Sequence, residues 1–296
     1  MSERLIWERD GTDWPNRAAS RFVDAGGLRW HVQVMGQGPG ALLVHGTGAS
    51  THSWAGLAPL LAKQWTVVAP DMPGHGFTDM PSREGLTLPG MASRLAALTK
   101  ALAVNPALAV GHSAGAAVLI RMALDGAISP ALIVSLNGAL LPFGGFAAPI
   151  FSPLAKLLFD NSLAPRLFAL RAKDRRAVER VIRGTGSNVP DAYIDFYARL
   201  FRSPVHVAAA LGMMANWDLP ALVRDLPRLR SRLLLVAASM DSAVPPDTAF
   251  RVRDVAPKAV VEVARGLGHL AHEEDPQAVA AIIQHGAAQN RPPEAR

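Results

Sequence analysis

Six short, almost wholly apolar runs recur along this chain of 296 residues and constrain its fold more than any other feature. In chain order they read ALLVHG, WTVVAPD, ALAVGHS, ALIVSLNG, RLLLVAA and AVVEVAR. Segments of helical character separate them, including SWAGLAPLLAKQ, LPGMASRLAALTKAL, AGAAVLIRMAL and DPQAVAAIIQHGA. Strands that are apolar on both faces belong in a sheet covered on both faces, and helical connections make neighbouring strands parallel. The sequence therefore predicts an α/β fold with a mostly parallel, doubly wound sheet, preceded by a β-hairpin in RFVDAGGLRWHVQVMG.

One long interval interrupts this alternation. Residues 143–230 contain helix-like pieces but no strand-type run. We therefore expect residues 1–142 and 231–296 to form the core and residues 143–230 to form a helical lid inserted between two strands. The net charge of the chain is +6, and the interval holds 13 Lys and Arg against 7 Asp and Glu. The basic excess of the whole chain thus lies in the predicted lid.

Composition and termini exclude several classes of protein. The chain has no cysteine, which excludes disulfides, thiolate nucleophiles, cysteine-ligated zinc and iron–sulfur clusters. Its first residues, MSERLIWERDGTDWPNR, lack the apolar centre of a secretory signal. The run GALLPFGGFAAPIF is broken by Gly and Pro and is too short for a spanning helix, which needs about 20 apolar residues. We expect a cytoplasmic protein, with contact at a membrane surface left open.

Neither a metal nor a nucleic acid is expected as a ligand. The segment HLAH lacks the glutamate of an H-E-x-x-H motif and a third ligand, so no zinc site is predicted. The positive charge is modest and no aromatic stacking platform is evident, which argues against nucleic acid. The sequence predicts no cofactor and a small-molecule substrate.

The turn GHSAG places Ser113 where a strand-type run gives way to a helix-type run. A serine on such a turn adopts a strained backbone, and side chains two residues to either side would collide, which Gly111 and Gly115 avoid. The helix that begins near Ala114 would direct its N-terminal N–H groups at the reacting centre. This context predicts a nucleophile. The alternative interpretation is a helix N-cap serine between two packing glycines.

A serine nucleophile needs a base, which in turn is oriented by a carboxylate. Asp241 follows the run RLLLVAA, and His269 follows AVVEVAR. Parallel strands end at one edge of a sheet, so we expect both side chains to meet Ser113 there. As alternatives, Asp241 is a turn-forming residue and His269 an ordinary loop histidine.

Other residues compete for these two roles. His272 is the rival base, three residues beyond His269. Another strand-type run ends at Asn137, which offers no carboxylate. The remaining acidic candidates lie on or beside predicted helices, and we expect them to be helix caps or solvated charges: Asp247, Asp254, Glu273, Glu274 and Asp275.

A tetrahedral intermediate also needs two hydrogen-bond donors for its oxyanion. The run ALLVHG leads into a glycine turn, HGTGAS. The backbone N–H of Thr47 in this turn and that of Ala114 are the predicted donors. The alternative is a plain strand-to-helix turn.

The motifs HGTG, APDMPGHGFTD, GHSAG, MDSAVP and GLGHLAHEEDP, taken in order, resemble the landmarks of the α/β-hydrolase superfamily from about Phe22 to Ile283. The resemblance implies the α/β-hydrolase fold and a Ser-His-Asp mechanism. Two positions depart from common patterns, Ala238 before the acid turn and Thr78 after the glycine turn. Ser113 stands where haloalkane dehalogenases and epoxide hydrolases have Asp, which argues against those branches.

Longer stretches carry a narrower resemblance. The segments WPNRAASRFVDAGGLRWHVQVMGQGP, LVHGTGASTHSW, SLNGALLPFGG and ALGMMANWDL are similar to magnesium-chelatase accessory proteins of bacteriochlorophyll biosynthesis. That family implies a role around magnesium insertion into protoporphyrin or the steps just after it, with chelatase subunits as partners. It supplies no established reaction.

The predicted lid combines apolar, methionine-rich and basic segments. Phe143, Met213, Met214 and Trp217 are the candidate substrate-binding residues, since soft and aromatic side chains suit the face of a tetrapyrrole. Arg and Lys would pair with its propionates. Two other interpretations stay open: a solvated basic face over core, and contact with anionic lipid. Two functions also stay open, an active serine hydrolase and a porphyrin-binding accessory protein that does not use its triad.

Overall fold

The computed structural model describes residues 4–142, 161 and 163–289. Its eight strands form one sheet in the order β1-β2-β4-β3-β5-β6-β7-β8. The first two strands form the predicted hairpin, β2 pairs with β4 in the antiparallel sense, and all other neighbours are parallel. The strands are β1 (Ser20–Ala25), β2 (Leu28–Met35), β3 (Gly40–Val44), β4 (Thr66–Pro70), β5 (Pro106–His112), β6 (Leu132–Leu136), β7 (Arg232–Ala238) and β8 (Ala259–Ala264). The predicted α/β fold, with its mostly parallel, doubly wound sheet, is confirmed.

The apolar strands are buried on both faces. Within β3, Leu42 belongs to one hydrophobic cluster and Leu43 to a second, because successive side chains of a strand point to opposite faces. The same alternation separates Leu234 from Leu235 in β7. Helices cover each cluster, so the two-sided apolar character of these runs follows from a sheet enclosed between two layers.

The helices of the described chain fall into two groups. Those of the core are α1 (Trp7–Asp10), α2 (Leu57–Leu61), α3 (Leu88–Ala101), α4 (Ala114–Leu124), α10 (Asp247–Val255), α11 (Ala271–Glu274) and α12 (Pro276–Ala288). Those between β6 and β7 are α5 (Ala164–Arg171), α6 (Arg175–Arg183), α7 (Asp191–Phe201), α8 (Pro204–Ala215) and α9 (Leu219–Asp225). The helix predicted from SWAGLAPLLAKQ is shorter than its pattern, because a 3₁₀ turn, Thr51–Trp54, precedes α2.

The described residues between β6 and β7 are helical and contain no strand. We refer to α5–α9 as the lid helices. The domain boundaries proposed at 142 and 231 stay a prediction. In the described part of the chain, no helix combines the length and apolar character that a membrane crossing requires.

Candidate active site

The turn between β5 and α4 holds Ser113 in a rarely populated backbone conformation. Its φ is 50° and its ψ is −118°, a combination that normally suits glycine. A Cβ atom at Gly111 would lie 2.5 Å from the backbone of Ala116, and one at Gly115 would lie 2.1 Å from the carbonyl oxygen of Val44. The sharp turn therefore requires glycine at both positions, as the GHSAG pattern indicates.

Asp241 and His269 meet beyond the ends of β7 and β8. His269 donates from Nδ1 to Asp241 Oδ2 over 2.8 Å, and both residues are buried. The other carboxylate oxygen, Oδ1, accepts the backbone N–H groups of Ala243 and Val244, each at 2.8 Å. Asn137 at the end of β6 donates from Nδ2 to Oδ2 over 2.7 Å. The carboxylate is thus fixed from three sides, and the imidazole turns its Nε2 away from it.

His112 connects the serine turn to the histidine loop. Its Nε2 donates to the carbonyl oxygen of His269 over 3.0 Å, and the centroids of the two rings are 4.7 Å apart. Since His112 immediately precedes Ser113, these contacts bring the Ser113 turn and the His269 loop side by side. Burial lowers the pKa of His112 well below its ordinary value, so its ring stays neutral.

The loop after β3 lies against the serine turn. A Cβ at Gly46 would lie 3.0 Å from Ser113 Cβ, so Gly46 contacts the serine. Thr47 is the next residue of the chain. His45 donates to the carbonyl oxygen of Gly46 over 2.8 Å, and His206 of α8 donates to that of Gly48 over 3.0 Å. Among the residues that the structure describes, neither the N–H of Thr47 nor that of Ala114 donates to a protein acceptor.

The rival base is not placed for catalysis. His272 is fully buried, and its Nε2 lies 2.8 Å from Ser53 Oγ. Burial lowers its pKa to about 3. Asp275 caps α12 and Glu274 accepts backbone N–H groups of Gly268 and Asn188, while Asp254 is exposed beside Arg253.

Glu273 corrects the sequence-based expectation, because it is neither a cap nor a solvated charge. Its side chain is buried and accepts hydrogen bonds from Ser53 Oγ and, over 2.8 Å, from Tyr197 Oη of α7. Burial raises its pKa to about 8, so the carboxyl group holds a proton at neutral pH. A run of acidic residues is usually solvated. Nothing in the local sequence Glu273-Glu274-Asp275 indicates that Glu273 is the buried one.

A cavity of about 620 Å³ opens beside Thr47 and Gly48. Side chains of α5, α6 and α8 form most of its wall, with Phe201 from α7. The wall is largely apolar, and its charged members are Arg171 and Arg180. A mainly apolar pocket with a few polar groups is typical of a small-molecule site.

The four candidate substrate-binding residues of the lid do not share one environment. Met214 lines the cavity, while Met213 is buried and accepts a hydrogen bond on Sδ from Thr47 Oγ1 at 3.4 Å. Trp217 packs against the core cluster and is not among the residues that line the cavity. Phe143 lies outside the described residues.

Several wall residues were missed at the sequence level. Phe168 and Val181 line the cavity together with the two arginines. The spacing of Phe168 and Arg171 on one helix is consistent with a shared face, but no sequence signal indicates that α5 and α6 border the turn at Thr47.

Most of this chain is similar in sequence to known proteins. The model of the alpha/beta hydrolase family matches residues 41–282. The magnesium-chelatase 30 kDa subunit of Rhodobacter capsulatus is 35% identical over 263 residues, which is 88% of this chain and 92% of that protein. The pyrrolizixenacetamide deacetylase of Xenorhabdus hominickii is 30% identical over 276 residues, or 86% of this chain and 93% of the relative.

Solved structures agree on the fold. The epoxide hydrolase CorEH superposes with a TM-score of 0.76 at 22% identity, covering 92% of this chain and 99% of that one. At this identity the similarity concerns the fold alone. The resemblance to α/β-hydrolases and to magnesium-chelatase accessory proteins is therefore confirmed at the level of fold and family.

Proposed function

The chain belongs to the alpha/beta hydrolase family, and we propose that it is a serine hydrolase that cleaves an ester or a related acyl bond. The observation that carries the proposal is the 2.8 Å hydrogen bond between His269 Nδ1 and Asp241 Oδ2, beside a serine held at a φ of 50°. A relative of similar length carries the name of a deacetylase, which is consistent with acyl hydrolysis.

In the proposed mechanism, Ser113 Oγ attacks the acyl carbon and His269 Nε2 takes its proton. Asp241 accepts the hydrogen bond from His269 Nδ1–H and stabilises the imidazolium that forms. The N–H groups of Thr47 and Ala114 bind the oxyanion, whose charge is also favoured by the N-terminus of α4. His269 then returns the proton to the leaving group. Water then attacks the acyl carbon while His269 takes its proton, and His269 gives this proton to Ser113 Oγ as the acid is released.

The proposed substrate is a tetrapyrrole ester or a related molecule near the magnesium-insertion step. This assignment rests on the relative named as a magnesium-chelatase subunit and on the apolar cavity with Arg171 and Arg180 in its wall. Apolar walls suit a macrocycle, and guanidinium groups pair with carboxylates in a bidentate way. Chelatase subunits are the proposed protein partners.

A labelling experiment tests the catalytic part. A fluorophosphonate probe should attach to the peptide that carries Ser113 in the folded protein but not after heat denaturation. Ser113→Ala should abolish labelling and lower turnover of a reporter ester on the order of 10⁶-fold. Folded protein that does not react with the probe would contradict the proposal.

A second function deserves a direct test, because the relative from Rhodobacter capsulatus is named as a chelatase subunit and not as a hydrolase. In this alternative the chain binds a porphyrin for the chelatase and does not use the serine. Ser113→Ala would then still support pigment formation in a bacteriochlorophyll-producing host, whereas variants of the cavity wall would not. Loss of pigment with normal protein levels excludes the passive carrier. Binding of protoporphyrin, its magnesium form and the monomethyl ester identifies the ligand in either case.

A further inference from the structure

Helix α5 exposes its large apolar side chains and buries its small ones. Leu163, Leu167 and Leu170 follow the i, i+4, i+7 spacing of one helical face and are 57%, 64% and 58% exposed. Ala164 and Ala169 face the interior of the protein and are buried. Folding in water alone favours the opposite arrangement, because burial of a large apolar side chain stabilises the folded state in proportion to its area. The outward face of α5 therefore suits an apolar environment.

This face continues around the mouth of the cavity. Phe168 of α5, Val181 of α6 and Met214 of α8 are also exposed, and all three line the cavity. We call the six residues the lid patch: Leu163, Leu167, Phe168, Leu170, Val181 and Met214. They are half of the twelve large exposed apolar residues in the described chain. A concentration of exposed apolar side chains on neighbouring helices is typical of an interaction surface.

The charge around the patch indicates which surface it meets. Between residues 163 and 183 there are seven Arg and Lys and only two Asp and Glu. Asp174 pairs with Arg171 at 3.1 Å, and Glu179 pairs with Arg175 and Arg183. Six of the basic residues are exposed: Arg166, Arg171, Lys173, Arg176, Arg180 and Arg183. Exposed apolar side chains and exposed cations in one helical segment complement a bilayer with anionic headgroups.

We propose that the lid patch docks on the surface of an anionic bilayer, with the mouth of the cavity facing the lipid. The apolar residues would enter the boundary between headgroups and acyl chains, and the cations would contact the phosphates. An amphiphilic ligand can then pass from the bilayer into the cavity without crossing water. The docking does not depend on the serine chemistry, so Ser113→Ala binds vesicles as the wild type does.

Vesicle sedimentation of the full-length protein tests the charge requirement. Binding to vesicles of phosphatidylcholine and phosphatidylglycerol should exceed binding to pure phosphatidylcholine at least about tenfold, and should weaken between about 0.1 M and about 1 M salt. The double variant Lys173→Gln/Arg176→Gln should lose about 30-fold in partitioning, since each cation contributes about 1 kcal/mol. The matched control Arg251→Gln/Arg265→Gln, outside the lid, should lose much less. Equal binding to both lipids, or equal losses in both variants, overturns the proposal.

A second pair of variants tests the apolar requirement. Leu167→Glu should lower partitioning at least about tenfold and leave the thermal midpoint and the mass in solution unchanged. Val260→Glu, at an exposed valine of β8, is the matched control and should bind normally. If Leu167→Glu lowers the thermal midpoint or dissociates a dimer while vesicle binding persists, the patch is covered by protein and the proposal is wrong.

Discussion

His206 of α8 donates from Nε2 to the carbonyl oxygen of Gly48 over 3.0 Å, which fastens a lid helix to the loop that carries Thr47. The opposite nitrogen, Nδ1, accepts the backbone N–H of Gly76 over 3.0 Å, and this bond fixes the tautomer. Burial lowers the pKa of His206 to about 4, so the ring is neutral and keeps both bonds at neutral pH. The lid thus helps to set the backbone of the proposed oxyanion loop.

Two substitutions of His206 separate its two hydrogen bonds. The amide nitrogen of Gln reaches the position of Nε2 and keeps the bond to Gly48, whereas the amide oxygen of Asn reaches that of Nδ1 and keeps the bond to Gly76. Each variant leaves one buried group unsatisfied and should lose about 1–3 kcal/mol of stability. We expect His206→Asn to lower kcat about tenfold at similar KM, because the Thr47 loop shifts, and His206→Gln to lower it much less. Equal kcat values in the two variants would show that the Gly48 bond does not serve turnover.

Asn137 supports Asp241 and is expected to influence turnover more than stability. Its backbone has a φ of 49°, which glycine adopts freely, so Asn137→Gly removes the 2.7 Å bond to Asp241 Oδ2 with little backbone cost. Loss of this bond lets the carboxylate rotate away from His269. We expect kcat for a reporter ester to fall about tenfold. Asn16→Gly is the control, since Asn16 has a φ of 54° and a hydrogen bond to Ala55 in a different turn. A similar fall in kcat in both variants would contradict a specific role for Asn137.

The sequence predicts the sheet and the strand-end residues because those features are local. An apolar run of five to seven residues marks a strand, and parallel strands end at one edge, so Asp241 and His269 had to approach each other. For Asn137 the sequence indicates only a strand end that offers no carboxylate. Its contact with Asp241 depends on the lateral order of β6 and β7, which the sequence does not encode locally.

Contacts between distant segments account for what the sequence does not predict. His206 and Gly48 are 158 positions apart, and no motif links them. Glu273 adjoins Glu274 and Asp275, and only the packing of α7 against the Ser53 turn buries it. The outward position of the leucines of α5 is not predicted either, because hydrophobicity alone does not say which side of a helix faces the protein.

Buried titratable groups should give the free energy of unfolding a maximum near neutral pH. The ordinary pKa of a glutamate is 4.5, and burial raises that of Glu273 to about 8. Between these values the folded protein holds a proton that the unfolded chain has lost, so stability falls as the pH rises. His206 and His272 have lowered pKa values, about 4 and about 3, against an ordinary 6.5. Below pH 6.5 these two rings take up protons in the unfolded chain but stay neutral in the folded protein. The free energy of unfolding therefore also falls on acidification.

The variant Glu273→Gln isolates the contribution of Glu273 to this profile. Between pH 6.5 and 8 the stability of the wild type relative to Glu273→Gln should fall by about 1.6 kcal/mol, measured by urea denaturation. Glu273→Gln keeps an acceptor for Tyr197 and cannot ionise, so its own profile carries only the contribution of the buried histidines. Glu274→Gln is the neighbouring control and should follow the wild-type profile. A difference between wild type and Glu273→Gln that stays constant over this interval would mean that Glu273 is ionised in the folded protein.

Backbone strain at Ser113 predicts a trade of stability against activity. A residue with a side chain pays about 1–3 kcal/mol in such a conformation, whereas glycine adopts it readily and loses about 0.5–1 kcal/mol through its more flexible unfolded chain. Ser113→Gly should therefore be about 1 kcal/mol more stable than Ser113→Ala in urea denaturation, although both lack the hydroxyl and both should be inactive. Ala103→Gly, at a φ of 52° far from the site, calibrates the gain for an ordinary left-handed residue. If Ser113→Gly is no more stable than Ser113→Ala, the turn is relaxed, and the serine is held in position by its hydrogen bonds to Leu136 and Ala139 without stored strain.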